Sequence, residues 1–119
     1  MHELTIVTSI VKQTEKVVAE NKAKKAEGIY LRIGALYFVM DNLLDAAFAF
    51  VSRGTVCENA RLSVCYIPVT LQCKNCRHIF TVEPKEMTST PCPECGCEEE
   101  EFLAGKEFVI DQIEVSYEE

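Results

Sequence analysis

Cys73-Lys74-Asn75-Cys76 and Cys92-Pro93-Glu94-Cys95 carry the strongest chemical signal in the chain. Fifteen residues separate the two Cys-x-x-Cys pairs. This spacing suits one tetrahedral zinc held by four thiolates. Each pair makes a tight loop that aims two sulfurs at a common point, and the intervening stretch brings the loops together. Pro93 and Gly96 supply the rigid and the permissive backbone positions that such a knuckle needs. Redox dithiols or disulfides are the competing reading. Nothing else in the sequence resembles a thioredoxin-like redox site, and the first residues do not read as a secretory signal.

A second set of donors stands at Met1-His2-Glu3. A free α-amine, the backbone amides of residues 2 and 3 and the His2 imidazole lie within a few bonds, with the Glu3 carboxylate adjacent. Together they can close chelate rings around Cu(II) or Ni(II), which tolerate square-planar nitrogen ligation. The first amides of a helix have no intrahelical acceptor, so they can lose a proton to a metal without breaking the helix. The bulk of His2 disfavours removal of Met1. Against this stands the commoner role of a second-position His as an inert exposed residue. The positive end of the helix dipole also opposes a cation, so deprotonated amides or Glu3 must offset it.

These two donor sets need elements to hold them. Leu4, Val7, Ile10, Val11, Thr14, Val17 and Val18 recur at helical spacing and predict a helix over about residues 3–24. Glu3 falls in its first turn, and Lys22, Lys24 and Lys25 near its end, both suited to the dipole. Gly28 marks a break. Residues 28–35 alternate, with Ile29, Leu31 and Ile33 on one face and Tyr30 and Arg32 on the other, a strand ending near Gly34. Asp41 is placed to cap a second helix, about 41–53, with the stripe Leu43, Leu44, Ala47, Phe48 and Val51. Gly54 reads as its left-handed stop. A strand follows over about 60–67, ended by Pro68. The order strand, helix, strand predicts a right-handed crossover between parallel strands.

Residues 70–103 form the metal lobe. Beyond Leu71, Ile79, Phe80, Val82 and Phe102 they contain little apolar material, so metal is expected to supply the missing stability. A last strand, about 106–116, changes phase between Ile110 and Ile113, which predicts a bulge or twist near Asp111-Gln112. It returns the chain to the first sheet, making the metal lobe an insertion. The domains are then 1–69 plus 104–119, and 70–103.

Composition bounds the function. The 119 residues are 48% hydrophobic, enough for one core with a small inserted lobe. The formal net charge of −7 disfavours phosphate backbones, although zinc ribbons often bind nucleic acid. No stretch reaches the roughly 20 apolar residues of a membrane span. Of the seven cysteines, four to zinc leaves Cys57, Cys65 and Cys97. A reducing cytoplasm is the simplest compartment, with Cys57 and Cys65 as small apolar side chains. No nucleophile–base pairing or phosphate loop points to an enzyme.

Taken together, Met1-His2-Glu3-Leu4, Leu31-Arg32-Ile33-Gly34-Ala35-Leu36, Gly54-Thr55 and Ala60-Arg61-Leu62 resemble the HypA family. So do Cys73-x-x-Cys76, Cys92-Pro93-x-Cys95-Gly96 and the closing Ile113-Glu114-Val115. The resemblance runs in order over essentially the whole chain. It implies a nickel metallochaperone of [NiFe]-hydrogenase maturation, not an enzyme. The implied fold is α+β: a nickel-binding domain of two helices on a three-stranded mixed sheet, with an inserted four-cysteine zinc-ribbon-like lobe. The family's nickel-binding histidine falls on His2 and its neighbouring acid on Glu3, with the backbone of Met1 to Glu3 adding nitrogens. Its zinc cysteines fall on Cys73, Cys76, Cys92 and Cys95. The implied partners are a HypB-type GTPase and the hydrogenase large-subunit precursor, with urease maturation proteins in some organisms.

The chain departs from the family at Cys97, where many members have a small residue. Cys97 competes with Cys95 for zinc on paper, but matching Cys-x-x-Cys loops favour Cys95. Asp41 aligns with an acidic position of some members, where a remote nickel ligand competes with the helix cap. His78, beside the first knuckle, reads as a surface residue or as one that responds to changes at the zinc site. Tyr30, Tyr37 and Phe38 read as core or sheet-face residues. The alternative function is a zinc-ribbon adaptor that binds a protein or nucleic acid without handling nickel.

Overall fold

The computed structural model describes the backbone of residues 2–84 and 90–118, and the side chains of all of these except His2. Helix α1 (His2–Glu20) leads to strand β1 (Lys25–Gly34), a 3₁₀ turn (Ala35–Tyr37) and helix α2 (Asp41–Val51). Strands β2 (Arg61–Ile67), β3 (Val69–Cys73), β4 (Ile79–Val82), β5 (Glu100–Ala104) and β6 (Phe108–Ser116) complete the chain. They form two three-stranded sheets, β2-β1-β6 and β4-β3-β5.

The first sheet is mixed. Lys24 N–H donates to the Ser116 carbonyl and Gly34 N–H to the Glu107 carbonyl, so β1 and β6 run antiparallel. The remaining ladder, β1 with β2, is therefore parallel, and α2 lies in the connection between them, as the strand–helix–strand order requires. The second sheet is antiparallel throughout, with Leu71 facing Phe80 on β4 and Phe102 on β5.

The chain divides into two compact units. One comprises Met1–Leu31, Val39–Val64 and Val109–Glu119; the other comprises Arg32–Phe38 and Cys65–Phe108. In the first, α1 packs on α2. Its core is Val7, Ile10, Val11 and Val18 of α1, Ile29 and Leu31 of β1, and Leu44 and Phe48 of α2, all buried. Each such side chain contributes about 1.5–3 kcal/mol by leaving water.

Several boundaries differ from those read in the sequence. Helix α1 ends at Glu20, not near residue 24. Lys22 takes a left-handed conformation (φ 56°), and its N–H bonds the Ala19 carbonyl while Ala23 N–H bonds that of Val18. This closes the helix on a lysine where glycine is the usual choice. Lys22, Lys24 and Lys25 therefore lie beyond the last turn, and Lys25 begins β1. Gly28 lies inside that strand rather than breaking the chain before it. The Glu114 carboxylate lies over it, and a Cβ there would meet Glu114 Oε1 at 2.6 Å. Tyr30 Oη donates to the same Oε1 at 2.6 Å, and Arg61 approaches it at 3.3 Å. The glycine leaves room for this cross-strand cluster rather than making a turn.

Asp41 is the first residue of α2 rather than its cap. The N-cap is Met40, whose side chain makes no capping bond. Phe38, expected in the core or on a sheet face, is 57% exposed and is the left-handed residue (φ 53°) that ends the 3₁₀ turn. Along β6 the exposed positions double at Asp111 and Gln112, where the sequence changes phase.

The second unit has the thin core its composition foretold. Ile33, Val69, Leu71, Cys73 and Cys92 are buried, while Ile79 and Leu103 stay about half exposed. Gly34 and Gly105 meet backbone to backbone: a Cβ on Gly34 would stand 2.2 Å from the carbonyl of Gly105. Gly105 (φ 116°) in turn lies against Val69, whose Cα would be 2.7 Å from a Cβ. Among the described residues, no helix is long and apolar enough to cross a membrane.

Candidate metal centre

Cys73 closes β3, and the turn into β4 carries the first knuckle. Cys73 N–H donates to the His78 carbonyl and Lys74 N–H to that of Glu99, which ties the loop to the segment leading into β5. Arg77 N–H returns to the Cys73 carbonyl at 3.1 Å. The second knuckle repeats this, with Gly96 N–H on the Cys92 carbonyl at 2.9 Å. The residue after each Cys-x-x-Cys is left-handed: Gly96 at φ 78° and Arg77 at φ 70°. The glycine was legible in the sequence. The arginine that fills the same role was not, and its strain costs about 1–2 kcal/mol.

The loops bring Cys73, Cys76, Cys92 and Cys95 together, with all four sulfurs within 4.8 Å of one another. Cys73 Sγ stands 3.5 Å from Cys95 Sγ, and Cys76 Sγ 3.5 Å from Cys92 Sγ. Four sulfurs about 2.3 Å from a tetrahedral zinc stand about 3.8 Å apart, so the cluster fits that ion. A disulfide needs about 2.05 Å, and all seven cysteines are free thiols. The donor set is that of a structural metal such as zinc.

The knuckles favour the thiolate at Cys73 and Cys95. Amides of Asn75 and Cys76 point at Cys73 Sγ (3.3 and 3.5 Å), and Glu94 N–H at Cys92 Sγ (3.4 Å). The Cys76 amide above all, with those of Asn75 and the neighbouring thiols, lowers Cys73 to about 6 against the cost of burial. The Cys97 amide, then the Asn75 side chain, lowers Cys95. Cys76 gains from the His78 amide, but burial and the bonds to Cys92, Cys95 and Cys73 push it up to about 12. Such a cluster exchanges protons for metal, so its affinity rises with pH.

Cys97 stays outside the four-sulfur cluster. It serves through its backbone, its carbonyl accepting from Cys92 N–H at 3.0 Å, while its Sγ accepts from Glu99 N–H at 3.5 Å. Asn75 went unnoticed in the sequence: its Nδ2 reaches Cys95 Sγ at 3.6 Å and links one knuckle to the other. Only the solvent-facing middle positions of the motif could have hinted at it. His78 is half-buried, and its ring stacks on Phe80 with centroids 6.0 Å apart. Cys57 is buried, and its thiol is pushed up to about 11 by that burial, which marks it as inert.

The amino-terminal donors are only partly visible. Met1 and the side chain of His2 lie outside the described residues, while the His2 backbone begins α1. Glu3 is in the first turn, and its Oε2 accepts the N–H of Met40 at 3.4 Å. That contact brings Glu3 to the start of α2, one residue from Asp41.

Residues 1–115 match the family described as hydrogenase/urease nickel incorporation, metallochaperone, HypA. The chain is 35% identical over 114 residues to the hydrogenase maturation factor HypA of Methanococcus aeolicus, covering 92% of this chain and 93% of that one. It is also 35% identical over 115 residues to the HypA of a Picosynechococcus species, covering 97% and 99%. The solution structure of the Ni metallochaperone HypA from Helicobacter pylori superposes with a TM-score of 0.64 at 28% identity, over 99% of this chain and 100% of that one. A second solution structure of a HypA protein gives a TM-score of 0.70 at 27% identity, over 99% and 98%. With two helices, a mixed sheet and a separate antiparallel sheet holding four cysteines, the chain belongs to the HypA family of nickel metallochaperones for hydrogenase maturation.

Proposed function

We propose that this metallochaperone carries Ni(II) at its amino terminus, on His2, Glu3 and the backbone nitrogens of Met1 to Glu3, while Cys73, Cys76, Cys92 and Cys95 hold zinc. The observation that carries this reading is the match over residues 1–115, which takes in both donor sets. The two sites suit different tasks. Four thiolates close around zinc and leave no open position, so that ion stays and stabilises a unit with little core of its own. Nitrogen donors at a chain end suit nickel and remain open to an incoming ligand. The amides beginning α1 have no intrahelical acceptor, and Glu3 offsets the positive helix end.

Delivery is ligand exchange, in which the receiving site displaces the amino-terminal donors one by one. Residues 1–69 plus 104–119 act as the nickel-handling domain and 70–103 as the zinc domain. The recipient is the [NiFe]-hydrogenase large-subunit precursor, with a HypB-type GTPase as co-worker and urease maturation proteins where urease is made. Free thiols throughout fit a reducing cytoplasm. Nickel calorimetry on His2→Ala tests the reading. The variant is expected to lose nickel binding and keep its zinc and its circular dichroism spectrum. Equal nickel affinity in both proteins would remove His2 from the site. A zinc-ribbon adaptor would be indifferent to the substitution in every assay.

A further inference from the structure

The start of α2 has no cap of its own. Its N-cap, Met40, is extended (φ −104°, ψ 126°) and apolar, with no side-chain capping bond. Three residues on, where a glutamate or glutamine could reach back to the N-cap amide, stands Leu43. The missing carboxylate arrives from 37 positions earlier in the chain: Glu3 Oε2 accepts Met40 N–H at 3.4 Å. Glu3 also lies in the first turn of α1. One carboxylate thus serves the positive ends of two helices.

We propose that Glu3 is a shared carboxylate, which caps α2 through Met40 in the nickel-free protein and is drawn off by nickel at the amino terminus. Cargo loading is then read out as loosening of the first turn of α2. This rests on the amino-terminal nickel reading above.

Three observations favour the exchange. At 3.4 Å the bond is longer than the ordinary N–H···O range of about 2.7–3.2 Å, so it is readily given up. A divalent cation bound by the backbone of Met1 to Glu3 presents more charge to the carboxylate than one amide does. The first turn of α2 is thinly packed: Met40 is 56% and Leu43 47% exposed, and fully buried anchoring begins at Leu44. Such a thinly packed segment belongs to the part of a fold that opens at small cost, so loss of the Glu3 bond is measurable there. The residue is a positioning residue for the response, separate from whatever strength it adds to nickel binding.

Amide hydrogen exchange followed by NMR tests this on the full-length, zinc-loaded protein. Wild type, Glu3→Gln and Glu3→Ala are compared with and without nickel. In nickel-free Glu3→Ala, exchange at Met40 and at Leu44, whose N–H bonds the Met40 carbonyl, should rise by up to about fivefold, the protection one ordinary hydrogen bond gives. Glu3→Gln, which keeps an acceptor without the charge, should fall between. Nickel should produce the same rise in wild type and none in Glu3→Ala. Exchange unchanged by Glu3→Ala in the nickel-free protein overturns the cap. Unchanged wild-type exchange with nickel shown bound by calorimetry overturns the sharing. No nickel uptake by wild type overturns the nickel reading and the sharing with it, while the nickel-free comparison still decides the cap.

Discussion

Arg77 and Gly96 do the same work with different chemistry. Both follow a Cys-x-x-Cys, both are left-handed, and both return an N–H to the first cysteine of the knuckle. Only glycine does this without strain, so Arg77→Gly should stabilise the protein by about 1 kcal/mol, read as a rise in urea midpoint at constant slope. The neighbouring choice between Cys95 and Cys97 is as local. Matching loops favoured Cys95 in the sequence, and the four sulfurs that gather include Cys95 and leave out Cys97. Cys95→Ser should lower zinc to well below one equivalent, whereas Cys97→Ser should retain it; metal analysis of the purified variants decides. The cysteines were legible because zinc fixes both residue type and spacing. Asn75 was not, because a side chain that reaches from one knuckle to a thiol of the other depends on how the loops meet.

At the scale of elements, periodicity found both helices and the three strands of the first sheet but not β3, β4 and β5, which are short and carry few apolar residues, and the boundary errors lie where a residue broke its own propensity. A lysine ends α1, an apolar methionine stands at the N-cap of α2 without a capping bond, and Gly28 sits mid-strand beneath a carboxylate. Each depends on a partner distant in sequence or on a strained backbone, which a local pattern does not encode. The two glycines at 34 and 105 read as simple strand boundaries, yet their backbones touch. Gly34→Ala should cost about 3 kcal/mol or more, since the new Cβ meets main chain that cannot swing aside; chemical denaturation measures it. Glu107 guards the same turn. Its Oε1 accepts Gly105 N–H at 2.7 Å, and this bond foremost holds its pKa below the ordinary 4.5. A carboxyl lowered by folding adds stability above its unfolded value, which is lost as the pH falls through the folded one. Glu107→Gln should therefore lower Tm at pH 7, and the difference should shrink below pH 4.5 and vanish at stronger acidity.

On the proposed reading, the whole molecule separates a permanent metal from a transferred one. Its formal charge of −7 suits a carrier of cations better than a ligand of nucleic acid. The four-cysteine cluster was readable from spacing alone, whereas the amino-terminal donors gained weight only from the resemblance to the family, because a second-position His is commonly an inert exposed residue. What sequence could not supply is the link from Glu3 to the start of α2, 37 positions away, through which the amino terminus touches the rest of its unit. The central claim is that nickel needs a free amino terminus while zinc does not. Native mass spectrometry after nickel addition tests it on protein with an intact Met1 and on protein extended by one residue before it. The account predicts one zinc in both and nickel only in the first. Equal nickel uptake by the extended protein would contradict it.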